Sequence, residues 1–228
     1  MDNKEKSSYS EHESGCSRRG FLGTVVGSLL AAGISGEALA EEKKASGRPA
    51  RVNPERKCYI VPFGAQSLAN FHRRCVGCQL CVSSCPNRVL NVKASHKVID
   101  AKYGLLNLEQ PAMSFENGYC RPECVKCSQV CPAGAIEKIS ADEKSAISIG
   151  HAVVVTQNCL SAQGDKCGHC AEVCPVGAVS MVTDPATGFE IPSVDENRCL
   201  GCGKCEYLCP SRPLSAIYVE GREQHINV

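Results

Sequence analysis

The chain contains no tryptophan, and its phenylalanines and tyrosines together account for 5 % of the residues. Large rings supply much of an ordinary core, so a conventional aromatic interior is excluded. A surplus of one charge is also missing. Lys and Arg number 25 against 24 Asp and Glu, a formal net charge of +1. A nucleic-acid-binding domain shows a basic excess, and none is present. After residue 40 no apolar run approaches the ~20 residues that cross a bilayer. There is neither a P-loop nor a G-x-G-x-x-G dinucleotide fingerprint. The scattered Ser, His and Asp residues form no recognisable catalytic set, so the chain is not expected to be catalytic on its own. What it has in excess is cysteine, 18 in 228 residues, close to the level of cysteine-built scaffolds.

The first forty residues read as an address. Residues 1–15 are polar and acidic, and Ser17-Arg18-Arg19-Gly20-Phe21-Leu22 follows. An apolar run from Phe21 to Ile34, broken by Gly23, Gly27 and Gly33, ends in Ala38-Leu39-Ala40. A basic start, a short apolar middle and an A-x-A end describe an export signal. The paired arginines before Phe-Leu resemble a twin-arginine (Tat) signal, with an ordinary Sec signal or an uncleaved amino-terminal anchor as alternatives. The predicted location is the periplasm or the outer face of the cytoplasmic membrane. Cys16 belongs to this segment. Residues 41–57, rich in charge, Gly, Ser and Pro, read as a linker.

Sixteen of the other seventeen cysteines fall into four clusters of four. They are Cys75, Cys78, Cys81 and Cys85; Cys120, Cys124, Cys127 and Cys131; Cys159, Cys167, Cys170 and Cys174; and Cys199, Cys202, Cys205 and Cys209. Every cluster ends C-x2-C-x3-C-P, and the first and last match the bacterial ferredoxin run in full. Three cysteines at that spacing can wrap one face of an iron–sulfur cube. The fourth points to the other cube of a pair, and short helices are expected to follow it. Zinc favours two separated ligand pairs, and repeated spacing is not a disulfide pattern. No C-x-x-C here is followed by the histidine of a c-type haem site. His169 reads as an exposed loop residue. Cys58, beside the strand-like Tyr59-Ile60-Val61, reads as a buried thiol, with a ligand role or a partner disulfide as alternatives. Four [4Fe-4S] clusters on sixteen cysteine ligands are therefore predicted. A translocon that threads unfolded chain would strip such clusters, whereas a Tat-type route moves a folded, loaded protein.

The predicted fold is α+β, two bacterial-ferredoxin-like units over residues 58–228. Strands are expected at Ala152-Val153-Val154-Val155 and Ser215-Ala216-Ile217-Tyr218-Val219, with a turn at Asp184-Pro185-Ala186-Thr187-Gly188. The interior is expected to be largely inorganic, with metal binding supplying folding energy. Motif pairing is the subtle point. Cys85 opens C-P-x-R-x-L, as does Cys209, whereas Cys131 and Cys174 open C-P-x-G-A. This similarity predicts nesting, with an inner unit (111–189) inserted into an outer one (58–110 plus 190–228). Cys75, Cys78 and Cys81 would then be completed by Cys209, and Cys199, Cys202 and Cys205 by Cys85. The inner sets would be completed by Cys174 and Cys131. Sequential pairing would exchange only these fourth ligands.

Pro62-x-Gly64-Ala65, Phe71 and the first cysteine motif resemble the ferredoxin-type proteins of periplasmic nitrate-reductase and methylamine-utilisation operons. Asn158-Cys159-Leu160 with Gln163-Gly164 is similar to the third motif of that family, and the likeness runs from about residue 17 to 220. The second motif departs from it, with C-x3-C-x2-C-x3-C where C-x2-C-x4-C-x3-C is expected. The resemblance implies nested ferredoxin units and an electron carrier of an anaerobic respiratory chain. The carrier would work between redox proteins such as a membrane polyferredoxin or quinol-oxidising protein and periplasmic acceptors. Membrane association is expected only through a partner or an uncleaved signal. The alternatives are the iron–sulfur subunit of a molybdopterin-dependent oxidoreductase and a non-redox maturation or scaffold protein. A cube of charge +2 on four thiolates contributes about −2, so a loaded chain is acidic and suits a partner with a basic docking face.

Overall fold

Proline after each fourth cysteine, together with frequent glycine, keeps the elements of this chain short. The computed structural model describes residues 49–92 and 109–228. The expected signal at 1–40, Cys16 and the first part of the expected linker lie outside the described residues. Among the described residues no helix is long and apolar enough to cross a membrane.

The amino-terminal half begins with an extended segment through Ile60 and Val61, not a regular strand, whose Ile60 carbonyl accepts from the Met113 amide at 2.8 Å. Helix α1 (Leu68–Arg74) starts at Ser67, whose hydroxyl accepts from the Asn70 amide at 3.1 Å. It ends with His72, Arg73 and Arg74 near its negative pole. Helix α2 (Leu80–Ser84) leads to strand β1 (Leu90–Asn91), which pairs antiparallel with β2 (Ala112–Met113). Helix α3 (Lys126–Val130) follows and packs against α2. This half closes on itself where the Glu137 amide donates to the Gly64 carbonyl at 2.9 Å. Helix α4 (Ala141–Ser145) is set by a capping box between Ser140 and Glu143.

The carboxy-terminal half repeats the plan with longer strands. Strand β3 (Ile147–Val154) pairs antiparallel with the last strand, β6 (Ile217–Asn227), from Val154↔Ile217 to Ile147↔Asn227, with an irregularity between Ser148 and Gly150. Between them lie helix α5 (His169–Glu172), the hairpin of β4 (Val179–Thr183) and β5 (Glu190–Val194), and helix α6 (Lys204–Tyr207). The expected turn is present. The Asp184 carboxylate accepts from the Ala186 amide at 3.1 Å and the Thr187 hydroxyl at 2.8 Å.

These connections correct the nested boundaries. β3 was expected in the inner unit and β6 in the outer one, yet residues 150–154 pair with 217–221, and Ser148 and Ile147 with Ile226 and Asn227. Each half instead runs motif, strand pair, motif between chain segments that come back together. A hairpin-type connection returns the chain to its starting neighbour at low loop cost. The interior is also less inorganic than expected. Ile60, Val61, Phe63, Phe71, Phe115 and Ile136 are buried in one apolar cluster that Ile149, Leu200 and Val219 join from the second half. The second cluster is smaller and holds Ala152, Ala178, Ala216 and Ile217 among four buried cysteines, with no aromatic side chain.

Residues 51–57 are not a free linker. The Val52 amide donates to Asn158 Oδ1 at 2.9 Å, and Asn158 Nδ2 donates to the Val52 carbonyl at 2.7 Å. Arg56 pairs with Glu206 and donates from Nε to the Val219 carbonyl at 2.9 Å. The Lys57 and Cys58 amides donate to Glu220 Oε1 at 2.9 and 2.6 Å. This strap therefore lies on the second half before the chain enters the first.

Gly64 has φ +89°, and a Cβ there would stand 2.5 Å from the Glu137 carbonyl oxygen. Gly64→Ala combines left-handed strain with overpacking, so unfolding stability should fall by about 2–4 kcal/mol. Denaturant melts of the two proteins measure this, and coincident midpoints would contradict the close approach.

Candidate iron–sulfur centres

Each cysteine motif is a loop that becomes a helix and is stopped by proline. Cys75 caps α1, its amide donating to the Phe71 carbonyl at 2.8 Å. The third cysteine of each motif, Cys81, Cys127, Cys170 or Cys205, lies within α2, α3, α5 or α6. The helices thus precede the fourth cysteine, where the spacing led us to expect them after it. The cause is the following proline, whose ring pushes the preceding residue out of the helical region. Cys85 and Cys131 show it, with ψ 107° and 108°.

The thiols gather in fours. Cys75, Cys78 and Cys81 line a cavity of about 320 Å³, mouth included, together with Cys131. Cys120, Cys124 and Cys127 line one of about 350 Å³ with Cys85. Cys159, Cys167 and Cys170 line a third, about 330 Å³, with Cys209. The remaining thiols form the fourth set, in which Cys174 acts electrostatically on Cys199 and Cys202. All sixteen predicted residues are thereby brought together, but every fourth cysteine completes a different set from the one nesting predicts. Consecutive motifs exchange it: Cys85 with Cys131, and Cys174 with Cys209. The reason is packing of α2 on α3 and of α5 on α6, which sets consecutive motifs back to back. The C-P-x-R-x-L likeness reflects something local. Arg88 holds the left-handed backbone (φ +52°) that Gly134 (+64°) and Gly177 (+60°) hold three residues after their own cysteines. That position reports a turn and says nothing about pairing.

The sets stand in single file. Cys81 and Cys127 interact between the first and second, Cys120 and Cys202 between the second and fourth, and Cys170 and Cys205 between the fourth and third. A backbone hydrogen bond also closes the middle junction, where the Cys120 amide donates to the Cys202 carbonyl at 2.9 Å. Among the described cysteines Cys78 alone is exposed. Cys58 is half-buried rather than buried, with its Sγ 3.5 Å from the Tyr59 carbonyl oxygen. His169 is half-buried and opens α5 rather than lying in an exposed loop, and it faces Glu172 at 3.5 Å.

Burial pushes the thiols up. Loss of solvent is the first cause and neighbouring thiolates add to it, taking Cys81, Cys170 and Cys202 to about 11 and Cys127 to about 12. Four thiolates in one buried cavity therefore call for a multivalent positive centre, which inverts that preference. Among the described residues no three His, Cys, Asp or Glu side chains close around the position of one ion. The spread of each four-thiol set suits a larger group, and a [4Fe-4S] cluster fits the donors. Hydrogen bonds to sulfur are in place: the Ala178 amide donates to Cys174 Sγ at 3.2 Å and the Ala216 amide to Cys209 Sγ at 3.4 Å. Such bonds stabilise an anionic cluster. Sequence reading missed one residue at the site. Lys144, buried on α4, reaches Cys120 Sγ at 3.2 Å. It sits in an ordinary capping-box helix, and no motif marks it.

Raised thiol values mean that protons compete strongly with metal for sulfur. Iron release into a chelator should therefore be faster at pH 6 than at pH 8. The decay of iron–sulfur absorption follows this directly, and equal rates at the two values would count against buried thiolate ligation.

The comparisons agree with this geometry. The 4Fe-4S dicluster domain matches residues 74–135, which hold the first and second motifs, and again 163–212, which hold the third motif from Cys167 onward and the fourth. The methylamine utilization ferredoxin-type protein MauM of Methylobacillus flagellatus is 31 % identical over 190 residues, covering 81 % of this chain and 74 % of its own. Ferredoxin-type protein NapG of Escherichia coli is 30 % identical over 204 residues, covering 84 % and 80 %. Ferredoxin-type protein NapF of Escherichia coli is 25 % identical over 162 residues. With its paired dicluster domains and these relatives along most of its length, the chain belongs to the ferredoxin-type electron-transfer family of NapG and MauM.

Proposed function

We propose that this protein relays electrons through four [4Fe-4S] clusters as a component of an anaerobic respiratory chain, on the outer side of the cytoplasmic membrane. The single file of four-thiol sets carries this reading. One-electron exchange is the chemistry such a cluster supplies when bound. The chain's own residues do the rest. Sixteen cysteines hold the metal, and the exchange of fourth cysteines ties neighbouring sets together. Apolar side chains such as Phe71, Pro111 and Ala135 line the first cavity and keep water from it. At that end of the file Cys78 is exposed, with Val76 71 % and Leu80 46 % exposed beside it. A redox partner can approach there without displacing a folded element among the described residues. The partners are redox proteins, in line with the ferredoxin-type relatives. Residues 1–40 serve as a twin-arginine-type signal, because clusters assembled before export need a route that carries folded protein.

Protein purified without oxygen should hold about sixteen iron and sixteen sulfide per chain, four cubes of four each. Stoichiometric zinc without sulfide would overturn the reading. Replacing Arg18 and Arg19 by Lys should leave the protein in the cytoplasm, as fractionation would reveal; unaltered export would remove the twin-arginine assignment.

A further inference from the structure

Lys144 is 2 % exposed. Its Nζ donates to Cys120 Sγ at 3.2 Å, to the Arg121 carbonyl at 2.5 Å and to the Cys124 carbonyl at 2.5 Å. It also lies over the Phe63 ring, 4.8 Å from the centroid. Three acceptors and an aromatic face account for all three protons of an ammonium group, so the geometry is that of the charged form. A buried charge needs a counter-charge. Among the described residues no carboxylate is paired with Lys144; the ion pairs there are Arg56–Glu206, Arg74–Glu137, His151–Glu196 and His169–Glu172. The anion it faces is the sulfur of Cys120, in the set formed with Cys85, Cys124 and Cys127.

We infer that Lys144 is the built-in counter-charge of the second cluster and holds its reduction potential above the value the same thiols would otherwise confer. The inference rests on the four-cluster reading given above. Reduction brings one electron from a one-electron donor and makes the set more negative by one. A fixed cation close to a ligand sulfur stabilises the reduced state more than the oxidised one. The step is electron transfer alone, with no bond formed or broken at Lys144. In the other three sets no cation donates a hydrogen bond to a sulfur among the described residues; Arg222 acts on Cys199 of the fourth set only electrostatically, as the last of the influences on that thiol. Cys174 and Cys209 accept from backbone amides only, at 3.2 and 3.4 Å. The second cluster, between the first and the fourth, therefore becomes a preferred resting place for the electron. Lys144 is a positioning residue that acts through Cys120.

The test is a redox titration of the intact protein with dithionite and mediators, followed by electron paramagnetic resonance and preceded by iron analysis. The second cluster's signal is assigned as the one perturbed by Cys124→Ser. Lys144→Met should lower the potential of that signal alone, changing its reduced-to-oxidised ratio at a fixed poise by about tenfold, or 59 mV for one electron. Lys144→Gln, which can still donate hydrogen bonds but has no charge, should fall with it, while Lys144→Arg stays near the native value. An unchanged potential in Lys144→Met, an equal shift of all signals, or a native value in Lys144→Gln would overturn the inference. Where uncharged variants lose iron, retention of the full iron complement by Lys144→Arg supports the counter-charge role, and its loss there too overturns it. Native protein short of sixteen iron would instead sink the four-cluster reading, so the two failures are distinguishable.

Discussion

Buried thiols decide this structure. Sixteen sulfurs are gathered in four sets, and in each set loss of water and neighbouring thiolates push a thiol up (Cys81, Cys127, Cys170 and Cys202), so each set is stable as thiolate only around positive charge. The rest of the chain answers that requirement. Loops short enough to place three sulfurs on one face bend into helices of four or five residues, and proline ends each helix so that a fourth sulfur can cross to the neighbouring set. That crossing joins two motifs into one half-molecule more firmly than the two-residue strand pair β1–β2 could do unaided.

Apolar packing has the second role, unequally divided. The first half keeps Phe63, Phe71 and Phe115 with Ile60 and Ile136 in a continuous cluster. The second half relies on alanine, Ile217 and cysteine, and compensates with the long β3–β6 pairing and the strap at residues 51–58. Asn158 is the hinge of that strap. Its amide is fully buried and joins Val52 to the Ser215 carbonyl, 2.7 and 3.1 Å away, which gives a structural reason for the asparagine immediately before Cys159. Loss of that amide would strand buried backbone groups rather than disturb a metal ligand.

Much of the site was legible because local chemistry dictates it. The C-x2-C-x3-C-P ending names the sulfurs, and the turn residues Asp184 and Gly188 mark the hairpin between the third and fourth motifs. Strand β6 extends beyond the stretch expected from Ser215 to Val219, because its polar second half finds backbone partners at Gln66 and Ser67 and then, through Ile226 and Asn227, at the start of β3, rather than burying side chains of its own. The helices lie on the other side of the fourth cysteine from where the spacing predicts them, because proline acts on the residue before it and so ends the helix ahead of that cysteine. Nesting failed for a related reason. Arg88 resembles Arg212 in sequence, yet it shares its backbone conformation with Gly134 and Gly177, so a likeness of side chains stood in for a likeness of place.

By itself, then, the sequence determined the number and identity of the gathered cysteines, the α+β character of the chain and the family to which it belongs. These follow from spacing along the backbone, which a linear string records. Tertiary structure alone decided which fourth cysteine completes which set, the order of the sets in file, and the presence of a buried ammonium on Cys120. Each of those depends on helices meeting across space, α2 on α3 and α5 on α6, and on side chains such as Lys144 that reach a sulfur 24 residues away in sequence.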